Sequence, residues 1–237
     1  MDIKGWVRTS LIDFPGHIAT VVFTGGCNFR CPMCHNADLV LHPGSLPSID
    51  LDELWAFLEK RAGRITGVVV TGGEPTLQPD LPAFLAEVRK LGCAIKLDSN
   101  GYRPNTLANL LQAGLVDYVA MDVKAPPGKY AVLTGVPELD LSRIEASLAV
   151  LHEAQVSCEF RTTVVPGMLN DDDIVEIAKW LSTIGTAPGA AYVLQQFRGQ
   201  HTLDPELADA TPYASDVLRR TAKRAQAWLP NVSCRGI

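Results

Sequence analysis

Several things are missing from this chain, and each absence removes a class of protein. Residues 1–16, MDIKGWVRTSLIDFPG, have no cationic start followed by an apolar run, so no secretory leader is expected. No apolar stretch reaches the ~20 residues that span a bilayer, so no membrane partner is expected. There is no composition shift and no long Pro-, Gly- or Ser-rich linker, so residues 1–237 are expected to form a single domain. A net charge of −5 provides no basic field for nucleic acid. Neither CxxC…CxxC nor CxxC…HxxxH occurs, so the common zinc-module spacings are absent. In the cytoplasmic location these features imply, thiols stay reduced. Clustered cysteines there point to metal binding or catalysis rather than disulfides.

What is present is a regular alternation. Strand patterns are expected over 18–26, 67–75, 94–101, 116–126, 157–167 and 190–197. Helical patterns fall between and after them, over 51–63, 81–92, 105–114, 141–154, 171–185 and 214–229. Asp50 is placed to cap the first helix and Gly63 lies near its end. NVSCRG at 231–236 adds a short last strand, so a helix and strand occupy the C-terminal segment 211–237. Strands alternating with helices imply βαβ crossovers and a mostly parallel α/β sheet. Eight units would close a barrel. Six fit either an incomplete barrel or an open doubly wound sheet, and periodicity does not choose between them.

The special residues follow the strands. Cys27, Cys31 and Cys34 come after the first, in a loop over 24–36. Gly72, Gly73 and Glu74 end the second; Asp98, Ser99 and Asn100 the third; Asp122 and Lys124 the fourth. Parallel strands deliver their C-terminal ends to one face, so these residues are expected to converge where α/β folds build their sites.

CNFRCPMC poses the central question, because it supplies three cysteines where a closed metal site needs four ligands. Spacing of i, i+4 and i+7 could place the three on one face of a core helix. Pro32 opposes that, since it removes a helix donor and clashes. Zinc could recruit His35 as a fourth ligand, but His35 directly follows Cys34, and neighbouring residues rarely turn onto one ion. A [4Fe–4S] cluster is held by thiolates, and three of them leave one iron open to another molecule.

At this point the sequence resembles the radical S-adenosylmethionine (radical SAM) superfamily. CNFRCPMC matches its CxxxCxxC motif, and TGGEP at 71–75 resembles its Gly-Gly-Glu motif on the next strand. The resemblance implies a partial (βα)6 TIM-like barrel of parallel strands, with one [4Fe–4S] cluster on Cys27, Cys31 and Cys34. It also implies that S-adenosylmethionine chelates the open iron and is reductively cleaved to methionine and a hydrogen-abstracting 5′-deoxyadenosyl radical. Gly72 and Gly73 would let backbone approach a ligand, and Glu74 would accept from the cofactor's amino group.

Further wording is similar to one branch of the superfamily, the glycyl-radical-enzyme activating enzymes: Cys34-His35-Asn36, SLIDFPG at 10–16, VVPG at 164–167, and Asp122-x-Lys124. That likeness implies cofactor contacts from Met33, His35, Asp98, Ser99, Asn100, Asp122, Lys124 and Arg161. It implies a partner glycyl radical enzyme, with anaerobic ribonucleotide reductase favoured by QQFR at 195–198, and flavodoxin or a similar electron donor. The competing readings are a radical enzyme acting on a small molecule, such as a deazapurine synthase, and a zinc-stabilised binding domain. Residue 197 is Phe where some relatives carry histidine, which leaves the contact from the sixth strand open. Cys93, Cys158 and Cys234 are isolated and read as buried small hydrophobes. His17, His42, His152 and His201 lack ligand spacing. RRTAKR at 219–224 reads as a solvated helix face, or else as a dock for an acidic electron donor.

Overall fold

The computed structural model describes residues 1–154, 156–186 and 189–237. One sheet carries the chain, with strands β1 (Ile3–Ser10), β2 (Ala19–Thr24), β3 (Gly67–Gly72), β4 (Ala94–Ser99), β5 (Tyr118–Asp122), β6 (Ser157–Val164), β7 (Ala191–Gln196) and β8 (Val232–Arg235). The strands lie in sequence order from β1 to β8. All neighbouring pairs from β2 to β8 are parallel. A doubly wound sheet reverses its order at a switch point. Unbroken order means that each crossover winds the same way, so helices cover one face and the sheet curls into an incomplete barrel. That resolves the alternative left open by periodicity.

Two short helices, α1 (Ala37–Leu41) and α5 (Tyr130–Thr134), join six longer ones: α2 (Leu51–Lys60), α3 (Leu81–Lys90), α4 (Pro104–Gln112), α6 (Leu141–Ala154), α7 (Asp171–Ile184) and α8 (Ser215–Ala225). Asp50 caps α2 by accepting from the Asp52 N–H. Asn170 and Asp173 form a capping box at the start of α7. The outward faces of the strands, including Val22, Val68, Val70, Ile95 and Leu97, join the helices in one large apolar core. A small second cluster of Phe14, Ala19, Val21 and Val69 lies on the opposite, inner face.

One expectation needs correction. Residues 3–10 were not read as a strand, yet β1 forms there and pairs antiparallel with β2. Its sequence, IKGWVRTS, lacks two-residue apolar alternation, because an edge strand buries little of itself; only Ile3 and Ser10 are buried. Its anchor is instead polar: Trp6 Nε1–H donates to Thr20 Oγ1 at 2.8 Å. In the described residues, no helix is long and apolar enough to cross a membrane.

Candidate functional site

The cysteine loop is irregular but well tied. Asn36 Nδ2 donates to the Gly72 carbonyl at 2.8 Å, and Gln78 Nε2 to the Gly25 carbonyl at 2.8 Å. The Gly26 N–H donates to Leu39 O, and the Arg30 N–H to Thr134 O at the end of α5. From the far end of the chain, the N–H groups of Leu203 and Asp204 reach the carbonyls of Cys34 and Pro32, both at 2.9 Å. His35 Nε2–H donates to Arg198 O at 2.7 Å, so that nitrogen is committed. A loop whose backbone groups are paired this widely holds its side chains in place without belonging to a helix or strand.

Glycines 72 and 73 are required by a close approach within the chain itself. A Cβ on Gly73 would sit 1.9 Å from the Gly26 carbonyl oxygen, and one on Gly72, at φ +117°, 2.3 Å from the Thr24 nitrogen. That close approach is to the base of the cysteine loop. It lets the Gly73 N–H reach Thr24 O and the Glu74 N–H reach Gly26 O, both at 2.8 Å. Gly101 adopts the positive φ expected of it, +74°.

Glu74 is buried at 1% exposure. Its Oε1 accepts from the Thr76 N–H, the Thr76 hydroxyl and the Ser99 hydroxyl; its Oε2 accepts from the Asn100 N–H at 2.7 Å. Burial raises its pKa, and these four hydrogen bonds oppose the rise. Glu74 therefore ties the end of β3 to the end of β4 and keeps acceptor capacity on Oε2.

Deeper in the barrel lies a charge ladder. Arg161 Nε donates to Asp122 Oδ1 at 2.8 Å and its Nη1 to Asp98 Oδ2 at 3.0 Å. Lys124 Nζ lies 2.8 Å from Asp122 Oδ2, and Lys96 Nζ 2.8 Å from Asp98 Oδ1. Below them Arg235 grips Glu159 through both guanidinium nitrogens, at 3.2 and 2.7 Å. Burial alone would raise the Asp122 pKa, but the Arg161 and Lys124 charges outweigh it and hold the carboxyl well below its usual range. Burial would likewise lower Lys124 and Arg161, and their carboxylate partners instead push both up. Lys96 and Glu159 were not singled out from sequence. The signal was available: in AIKLDS, residues 94, 96 and 98 share one strand face, and that face points into the barrel.

All the residues expected at the site line one cavity of about 240 Å³ at the C-terminal ends of the strands. They are Cys27, Cys31, Met33, Cys34, His35, Gly72, Gly73, Glu74, Asp98, Ser99, Asn100, Asp122, Lys124 and Arg161. Sequence reading missed Phe29, Val40, Thr71 and Thr163 in the same wall, and noted Asn36 and Gln195 only as parts of the Cys34-His35-Asn36 and QQFR phrases. Phe197 is fully buried in the core, and β7 contributes Gln195 to the cavity instead.

The donor set can be tested against the two metal readings. Within the described residues, no group of three or more His, Cys, Asp and Glu side chains converges on a point where one ion could sit. A four-iron cluster instead presents a separate iron to each thiolate. Sulfur-directed donors surround the loop: the Phe29 N–H lies 3.4 Å from Cys27 Sγ and Asn100 Nδ2 3.8 Å from it. Asn28 Nδ2 is buried without an acceptor, a donor of the kind that serves cluster sulfur. Burial pushes the Cys27 thiol up to about 12 and Cys31 up to about 11, so in the bare chain both hold protons, which metal binding would release. The residues fit a [4Fe–4S] cluster.

The remaining cysteines are not near it. Cys93 and Cys158 are buried as expected; Cys234 departs from that expectation, being only partly buried on the edge strand β8. On α8, Arg220 pairs with Asp216, and Arg224 with Asp171 and Asp172, so much of that basic run is neutralised within the chain.

Known proteins place the chain. The model of the radical SAM superfamily matches residues 21–181. The chain is 32% identical to "Putative glycyl-radical enzyme activating enzyme MJ1227" of Methanocaldococcus jannaschii, over 99% of this chain and 96% of that protein. It is 28% identical to the pyruvate formate-lyase-activating enzyme of Staphylococcus aureus, over 73% of this chain and 72% of that one. Its fold is shared by Streptococcus suis SuiB, solved with its precursor peptide SuiA, at a TM-score of 0.70 and 14% identity; the match covers 91% of this chain and 48% of SuiB. The chain belongs to the radical SAM superfamily. It is an enzyme whose cofactors are a [4Fe–4S] cluster and S-adenosylmethionine.

Proposed function

We propose that this enzyme makes a glycyl radical on a partner protein, and that the partner is an anaerobic ribonucleotide reductase in an oxygen-free cytoplasm. The observation that carries the reading is the single cavity in which Cys34-His35-Asn36 meets Asp122, Lys124 and Arg161. Similarity to an activating enzyme along nearly the full length of both chains supports it. Cys27, Cys31 and Cys34 would hold the cluster. Bound there, cluster and cofactor together supply a one-electron cleavage and a hydrogen-atom abstraction.

The chain's own residues orient that chemistry. Glu74 and the backbone of Gly72 and Gly73 would hold the cofactor's amino group, and Asp122 and Lys124 its carboxylate and ribose. Asp98, braced by Lys96 and Arg161, would bind the ribose with Ser99 and Asn100. Met33, His35 and Arg161 would hold the adenosyl side. Flavodoxin or a similar protein is the proposed electron donor; the internal pairing on α8 leaves Arg219 and Lys223 as the cations without an ion pair in the described residues there.

Glu74→Gln is expected to raise the Kd for S-adenosylmethionine by about tenfold or more. The amide opposes a donor that the carboxylate satisfied, a loss of ~1.5–3 kcal/mol for a hydrogen bond to a charged group. Iron content should stay at the parent level. Iron loss with unchanged affinity would assign Glu74 to the loop's support rather than to the cofactor.

The function itself is tested by mixing the reconstituted enzyme, reductant and S-adenosylmethionine with candidate partners, without oxygen. A glycyl-radical doublet in the electron paramagnetic resonance spectrum is expected on the reductase, and lost when its C-terminal loop glycine is replaced by alanine. If no partner gains a radical while a small metabolite stimulates 5′-deoxyadenosine release, the enzyme acts on a small molecule instead.

A further inference from the structure

Arg161 stands among three carboxylates and hydrogen-bonds only two of them. Its Nε donates to Asp122 Oδ1 and its Nη1 to Asp98 Oδ2. The third, Glu159, lies two residues earlier on β6 and so shares the inward face. Its Oε1 is 3.9 Å from the same Nη1, beyond hydrogen-bond length. Glu159 is buried, and among the described residues its carboxylate accepts hydrogen bonds only from Arg235. Arg235 is the last residue of β8, the four-residue strand at the edge of the sheet. Arg161, Asp98 and Asp122 line the cavity at the cysteine loop, whereas Glu159 and Arg235 do not.

Arg161 Nη1 is the contested donor. A buried carboxylate without a donor is costly, and the closest cation is its nearest relief. Deprived of Arg235, Glu159 would draw Nη1 across the remaining ~1 Å and off Asp98 Oδ2. Asp98 would be left to Lys96, whose Nζ approaches Oδ1 to 2.8 Å. That approach is outside hydrogen-bonding alignment, so Oδ1 is buried with no hydrogen-bond donor among the described residues. An open acceptor in the wall of the cavity suits a ligand hydroxyl, and the bond at Oδ2 sets its aim. Arg235 reaches Glu159 from a strand fixed by its parallel pairing with β7 and by Gln226 of α8, whose Nε2 donates to the Val232 carbonyl at 3.3 Å.

We infer that Arg235 is a positioning residue for the cofactor site: by saturating Glu159 it keeps Arg161 Nη1 on Asp98, and so holds Asp98 in aim for a cofactor hydroxyl. The inference rests on the cofactor contacts that the proposed function gives to Asp98, Asp122 and Arg161, and is independent of the molecule that yields the hydrogen. Its consequence is an asymmetry. Removing the cation frees Glu159 to compete for Nη1. Removing the carboxylate leaves Arg161 on its two aspartates and Arg235, at 48% exposure, to water. Removing both restores the parent arrangement around Arg161. A role for Arg235 in packing β8 alone gives no such rescue, because Glu159→Gln returns no lost contact.

The test measures binding of radiolabelled S-adenosylmethionine to the reconstituted enzyme by anaerobic equilibrium dialysis. Arg235→Gln, Glu159→Gln and the double variant are compared, with iron content and urea unfolding recorded for each. Arg235→Gln is expected to raise the Kd by about threefold or more at the parent iron content. Glu159→Gln and the double variant should both bind within about twofold of the parent. If Arg235→Gln does not fold, Arg235→Lys replaces it, with the same direction of change and the same rescue by Glu159→Gln. A smaller rise in the single Arg235 variant, or a double variant that stays as weak, overturns the inference. Arg161→Lys tests the reading beneath it. Lysine lacks the fork that spans Asp98 and Asp122, so the Kd should rise by about tenfold or more. Parent affinity in Arg161→Lys would mean that the cofactor contacts are misassigned, and the role of Arg235 falls with them.

Discussion

A Cys31→Ala protein, reconstituted without oxygen, is expected to lose S-adenosylmethionine cleavage by well over a hundredfold, beyond the ~10–100-fold typical of losing an outer-shell partner of a metal. Cys31 is buried on a loop anchored from four directions: α1, α5, β3 and the segment after β7. No other cysteine can take its place, because Cys93, Cys158 and Cys234 lie outside the cavity. Alanine in that position leaves one iron without its thiolate, and a neighbouring serine or amide does not replace a soft ligand. Iron content, the brown colour and 5′-deoxyadenosine release should fall together. Cys93→Ala is the matched control and should keep all three. Parent-rate release of 5′-deoxyadenosine by the Cys31→Ala protein would refute the cluster assignment.

Gly73→Ala is expected to be nearly as damaging, for a reason unrelated to ligand contact. The new methyl group would stand 1.9 Å from the Gly26 carbonyl oxygen, well inside van der Waals contact. The ends of β2 and β3 must then separate, which lengthens the bonds from Gly73 N–H to Thr24 O and from Glu74 N–H to Gly26 O. Backbone, unlike a flexible side chain, cannot swing aside. A destabilisation of about 3 kcal/mol or more is expected, at the severe end for a single substitution. Urea unfolding measures it, and iron uptake should fall because the base of the cysteine loop is displaced. Gly44→Ala is the control. Its Cβ would meet nothing within 4 Å and its φ is not positive, so stability and iron uptake should be unchanged. Equal stability of the two variants would mean that the β3 end is free to shift.

Most of the site was legible because its parts follow strands. Once the strand–helix alternation is read, the C-terminal ends of β2 to β5 must share a face. Cys27, Glu74, Asp98 and Asp122 then meet without any knowledge of side-chain packing. Roles were less legible than membership. Gly-Gly before Glu74 reads as a close approach, but sequence does not say to what; Gly73 meets the chain's own loop, 47 residues earlier at Gly26. Asn36 was part of a recognised phrase, yet its use as a brace to Gly72 depends on a turn that no local pattern encodes.

Chain order, the placing of helices between strands, and the side of the sheet that bears the cysteines were determined by the sequence alone, since they follow from local periodicity and from the handed βαβ crossover. The curl of the sheet, the antiparallel β1 and the inward charge ladder were decided only by the tertiary structure. Those features depend on pairings between residues far apart in the chain. Glu159 finds Arg235, Arg198 O finds His35, and the segment after β7 returns to the cysteine loop only when the sheet has formed. A hydrogen bond or ion pair of that kind leaves no period in the sequence, because its two halves share no local element.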